Sequence, residues 1–90
     1  MPEAVQKRAG IREHLAGDEL FLYDAQGEEL TVLNKTALLI WSLCDGAHSD
    51  EEIRTLLAEI YPEAPPETVA ADVDSTLQSF RDQGLLEPTD

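Results

Sequence analysis

The chain has one cysteine, Cys44, so it can form no internal disulfide and no cysteine-based metal cluster of its own. No apolar run approaches the length of a membrane span, and no membrane partner is expected. Lys7, Arg8 and Arg12 are followed by no hydrophobic signal region, so no export signal is expected. Together with the lone thiol, that fits a reducing cytoplasm. Basic residues are scarce. From Glu13 onward only Lys35, Arg54 and Arg81 oppose 18 carboxylates, and the formal net charge is -13. Such a surface repels phosphates, which argues against nucleic acid, and it favours a basic partner or peptide segment. The sequence also has no internal repeat, no low-complexity tract, no phosphate-cradling glycine loop, no nucleophile elbow and no calcium-loop spacing.

What is present is one small domain's worth of chain, 90 residues at 42% hydrophobic, enough for a modest core. Leu33 to Gly46 (LNKTALLIWSLCDG) organises the rest. Asn34 can cap a helix by accepting a first-turn amide hydrogen bond. Ala37, Ile40, Trp41 and Cys44 recur at helical spacing, and Leu38, Leu39 and Leu43 widen the apolar face. Asp45-Gly46 stops the helix, glycine supplying the left-handed conformation. Trp41 and Cys44 therefore read as core, Cys44 having no histidine placed locally to activate it.

Before this stretch the chain reads as strand. Residues 1–10 carry little pattern and are expected to form a loose arm, with 11–90 the single domain. Ile11 to Leu15 reads as a short edge strand and Gly17-Asp18 as a turn. Glu19 to Asp24 and Glu29 to Leu33 read as strands joined by a hairpin loop over Ala25–Glu28. Both faces of those two strands are partly apolar, which points to a partner on the sheet, and Phe21 and Tyr23 also offer a surface for self-association as a homodimer.

After the stretch the chain reads as helix. Ser49 and Glu52 form a capping box, with His48 in the turn before it, and Ile53, Leu56, Leu57 and Ile60 make the stripe that Tyr61-Pro62 closes. Pro66 opens a third helix with Val69, Val73, Thr76, Leu77 and Phe80 along its inner face, ending at Gly84. The expected fold class is α+β: a three-stranded antiparallel sheet followed by three helices, resembling a winged helix-turn-helix. His14 and His48 lie far apart without metal-spaced neighbours. The acidic pairs Glu28-Glu29, Glu51-Glu52 and Asp72/Asp74 sit in so small a domain that a water-excluding pocket has little room. No catalytic residue, metal ligand or cofactor is assigned, and the chain is read as no enzyme.

LN-x-TA-xx-IW-x-LCDG (Leu33 to Gly46), Glu52-Ile53, Tyr61-Pro62, Asp72-Val73 and Gly84 to Leu86 form an ordered set at characteristic spacings. The set resembles the PqqD family, small peptide chaperones also called RiPP recognition elements, over roughly Asp18 to Glu87. The resemblance implies a winged-helix fold without DNA binding. It also implies that the leader region of a precursor peptide adds as an antiparallel strand to Glu29, Leu30, Thr31, Val32 and Leu33, in the groove beside the third helix. An edge strand offers unpaired amides and carbonyls for such pairing. Val69, Val73, Leu77 and Phe80 would then line side-chain pockets, and Asp72 and Thr76 would meet a lysine or polar group. The partner implied is a modifying enzyme, radical-SAM or another peptide-tailoring enzyme. A winged-helix transcription regulator and a structural subunit of an enzyme complex are the alternative readings. The first is disfavoured by Glu67, Asp72, Asp74 and Asp82 against Arg81 alone in the third helix region.

Overall fold

A computed structural model of the chain describes residues 4–24 and 29–87. The expected hairpin loop over Ala25–Glu28 lies outside the described residues. Strands β2 (Ile11–Ala16), β3 (Glu19–Asp24) and β4 (Glu29–Leu33) form an antiparallel sheet in the order β2-β3-β4, which leaves β4 at one margin. Helices α1 (Lys35–Ser42), α2 (Asp50–Ile60) and α3 (Pro66–Asp82) follow. The α+β class, the three-stranded sheet and the three helices are those read from the sequence.

Register explains the layering. Leu20 pairs with Leu33 and Leu22 with Thr31, so these four share the face that meets the helices. Leu20, Leu22 and Leu33 are buried there with Ile40, Trp41, Cys44, Ile53, Leu57, Val73, Leu77 and Phe80. Trp41 meets Phe80 edge-on, with ring centroids 5.4 Å apart. Two salt bridges tie α2 to α3: Arg54 to Asp74 at 2.7 Å and Arg81 to Asp50 at 3.0 Å.

The helix boundaries follow the local chemistry. The Asn34 side chain accepts from the Ala37 amide at 2.9 Å. Ser49 and Glu52 complete the capping box, the Glu52 amide donating to Ser49 Oγ and the Ser49 amide to Glu52 Oε1. α3 ends where Gly84 takes φ 72° and the Leu85 amide donates back to the Phe80 carbonyl.

The N-terminal arm needs correction. Over residues 4–8 it is built into the fold. Strand β1 (Ala4–Gln6) pairs antiparallel with a strand the sequence did not announce, β5 (Asp45–Ser49), and Val5 is buried. On its other side the segment meets the C-terminal apolar pair. The Arg8 amide donates to the Leu85 carbonyl, and the Glu87 amide to the Gln6 carbonyl. Lys7 Nζ sits 5.1 Å over the Trp41 ring. Arg8 also bonds the Asp24 carboxylate and the Gly84 carbonyl. The segment from Ala4 to Arg8 thus joins the sheet, α1 and the end of α3. Asp45-Gly46 does carry a left-handed glycine, φ 81°, but inside this second strand pair and not in a free turn.

Candidate leader-strand groove

β4 ends the three-stranded sheet, so among the described residues one of its edges has no strand partner. Alternation sends its side chains two ways. Leu30 and Val32 point away from the helices and are exposed, whereas Thr31 is half-buried and Leu33 is core. Glu29 contributes its backbone place opposite Asp24.

Thr31 reaches the end of the third helix. Its hydroxyl donates to Gln83 Oε1 at 2.7 Å, and Gln83 Nε2 in turn donates to Ser79 Oγ at 2.9 Å. Gln83 is the residue that caps α3. One end of the groove is therefore bridged by a polar chain from β4 to α3. Toward the other end, where β4 turns into α1, a cleft of about 350 Å³ opens between the start of α1 and α3, lined by Asn34, Thr36, Ala37, Asp72, Ser75 and Thr76. A smaller and more apolar pocket of about 170 Å³ adjoins it, sharing Thr36 and Asp72 and adding Leu57, Tyr61, Ala64, Val69 and Val73. Thr36 Oγ1 and the Tyr61 hydroxyl lie 3.3 Å apart in that wall.

The residues singled out on α3 divide accordingly. Asp72 is exposed on the rim, and Thr76 is half-buried in the cleft wall. Val69 and Val73 are buried but reach the small pocket. Leu77 and Phe80 are core residues, 0% and 2% exposed, and line neither cavity. Sequence reasoning did not single out Asn34, Thr36, Ser75, Tyr61 or Gln83 for the groove. Asn34 reads from the sequence as a helix cap, which it is, and the others are polar or helix-end residues without an apolar period to mark them. Chemically, the open edge of β4 can pair with an extended backbone, and the polar cleft and the small apolar recess past its end can take side chains.

Electrostatics oppose a nucleophilic role for the thiol. Cys44 is buried, its Sγ donates to the Ile40 carbonyl at 3.3 Å, and burial pushes its pKa up to about 12. Among the described residues no group of three His, Cys, Asp or Glu side chains is placed to hold a metal ion. No helix among the described residues is long and apolar enough to cross a membrane.

The family model described as Coenzyme PQQ synthesis protein D (PqqD) matches residues 19–86. No curated protein matches the chain. Among solved structures, TbiB1 in complex with the TbiA(beta) leader peptide superposes with a TM-score of 0.82 at 24% identity, covering 94% of this chain and 98% of that one. Lasso peptide synthetase B1 complexed with the leader peptide gives a TM-score of 0.78 at 26% identity, covering 94% and 99%. The heterocyclase TruD gives 0.63 at 18% identity, and there the match takes up 11% of the longer chain.

Proposed function

The chain belongs to the PqqD family, and from that premise we propose that it is a non-catalytic adaptor. It holds the leader segment of a ribosomally made precursor peptide by strand addition to β4 and presents the remainder to a modifying enzyme, a radical-SAM or another peptide-tailoring enzyme, in the cytoplasm. The observation that carries this reading is the open edge of β4, which leads at its C-terminal end to a cleft walled by α1 and α3. Backbone pairing along that edge supplies affinity with little regard to sequence, and the side-chain recesses supply selection. Two solved proteins of the same fold that match over nearly their whole length are each complexed with a leader peptide, which supports the same use of the fold here.

The chemistry of the site agrees. The groove offers hydroxyls, an amide and a carboxylate at its rim, suited to holding a peptide, while the single thiol is buried and protonated. In this reading Glu29 to Leu33 form the docking strand, Asp72 and Thr76 meet polar leader groups, and Val69 and Val73 floor the recess. Leu77 and Phe80 hold α3 in place from behind.

Isothermal titration calorimetry with the leader of a candidate precursor taken from the genes flanking this one tests the reading. Binding with a dissociation constant in the micromolar range or tighter is expected; no binding at concentrations up to about 1 mM overturns it for that pair.

A further inference from the structure

The outer face of the three-stranded sheet, turned away from the helices, differs from the rest of this surface. Cross-strand register places Arg12 beside Tyr23 and Tyr23 beside Leu30, then His14 beside Phe21 and Phe21 beside Val32. These six point outward, because the alternate positions Leu20, Leu22 and Leu33 point into the core. Tyr23, Leu30 and Val32 are 41%, 62% and 47% exposed. In a chain of formal net charge -13, the carboxylate that register puts on this face is Glu19, at one end. Among the described residues Arg8, Arg54 and Arg81 each pair with a carboxylate, and Arg12 forms no salt bridge. Aromatic and aliphatic side chains with an arginine and few acids are the composition of the centre of protein–protein interfaces.

We propose that this outer face docks the peptide-modifying enzyme, and that the bound leader forms part of the docking surface. The proposal rests on the reading that β4 takes the leader strand. A strand added to β4 continues the pleat, so alternate leader side chains stand in line with Leu30 and Val32 on the same face. The enzyme meets a four-strand surface whose last strand is the leader, and it binds the loaded adaptor more tightly than the empty one. By linkage, the enzyme tightens leader binding by the same factor. The complementary surface on the enzyme is apolar at its centre with a carboxylate opposite Arg12. A second copy of this chain fits less well, because each copy brings the same charge of -13.

The test uses the full chain, the leader peptide that calorimetry shows it to bind and the purified peptide-modifying enzyme that acts on that precursor, with biolayer interferometry as readout. Tyr23→Ser and Arg12→Glu alter the face on β3 and β2 and replace no residue of β4 or α3, and circular dichroism checks that both variants fold. For the leader-loaded chain, Tyr23→Ser is expected to weaken enzyme binding by about tenfold or more while leader affinity stays within about twofold. Arg12→Glu is expected to slow association and flatten its salt dependence. Leader occupancy is expected to raise the affinity of the unaltered chain for the enzyme. The proposal is overturned if the unaltered loaded chain does not bind the enzyme, if Tyr23→Ser binds it equally well, or if occupancy has no effect. It is also overturned if light scattering shows the unaltered chain to be a dimer that Tyr23→Ser dissociates. Failure of the leader to bind at all is seen without the enzyme and overturns the adaptor reading itself.

Discussion

The Thr31 hydroxyl donates to Gln83 Oε1 across 2.7 Å, fastening the middle of β4 to the residue that ends α3. The two residues are 52 positions apart in sequence, and the bond sets how wide the groove stands at that end. Thr31→Val keeps the β-branched shape and removes the donor. It is expected to cost about 1 kcal/mol in urea unfolding, the usual worth of one half-buried hydrogen bond, and to weaken leader binding measurably by calorimetry. Gln83→Ala removes that bond and the one to Ser79 and should act in the same direction, and the double variant should add little to Gln83→Ala, because the Thr31–Gln83 bond is already gone.

Strand addition can be tested on the backbone itself. Alternate amides of a strand point to opposite sides, so Thr31→Pro and Val32→Pro remove donors from different edges of β4. One of the two is expected to lower stability by breaking the ladder with β3. The other is expected to fold and yet lose leader binding. Thermal melts alongside calorimetry separate them; retention of leader binding in both variants would contradict docking on this edge.

The N-terminal segment should matter to stability more than its composition announces. Arg8 bonds the largely buried Asp24 carboxylate and the Gly84 carbonyl, joining the sheet to the end of α3. Arg8→Ala is expected to cost about 1.5–3 kcal/mol in urea unfolding, the range for hydrogen bonds to charged groups. A change within the error of the measurement would mean that backbone pairing holds the segment without the Arg8 side chain.

A pH effect is expected at the start of β5. His48 Nδ1 lies 2.9 Å from Asp45 Oδ1, and that hydrogen bond raises the His48 pKa above 6.5 and lowers that of Asp45 below 3.8. The raised histidine contributes stability that is fully present below pH 6.5 and lost as pH rises through its folded value. The lowered aspartate contributes stability that is present above pH 3.8 and lost as pH falls through its folded value. Asp45 is exposed and His48 partly so, so the effect on overall stability is small and is best read locally. In an NMR titration the His48 midpoint should lie above 6.5 and move down in Asp45→Asn.

Much of this fold was legible because its signals are local. The Asn34 cap, the Ser49-Glu52 box and the apolar stripes of α1, α2 and α3 each occupy a few consecutive residues, and they stand in the structure, except that Ile60 at the end of the α2 stripe is exposed. The β1–β5 pair was not legible. Ala-Val-Gln is too short to alternate, Asp-Gly-Ala-His-Ser carries no apolar period, and Asp45-Gly46 satisfies a helix stop equally well. Only the meeting of the two segments makes either a strand. The groove was half legible. The period that marks Val69, Val73, Leu77 and Phe80 marks an inner face, and tertiary packing decides which of them reaches a cavity. Thr36, Ser75 and Gln83 belong to the groove through the approach of β4 and α1 to α3, a long-range arrangement with no local sign.

The central claim is that a leader peptide pairs with β4 beside α3. The most direct measurement is a ¹⁵N-resolved NMR titration of the full chain with the neighbouring precursor's leader. The largest amide shifts are predicted within 29–33 and along Asp72, Thr76 and Gln83, with new protection from hydrogen exchange at alternate amides of β4. Saturable binding with shifts confined to other surfaces, and no added protection in β4, would contradict the account.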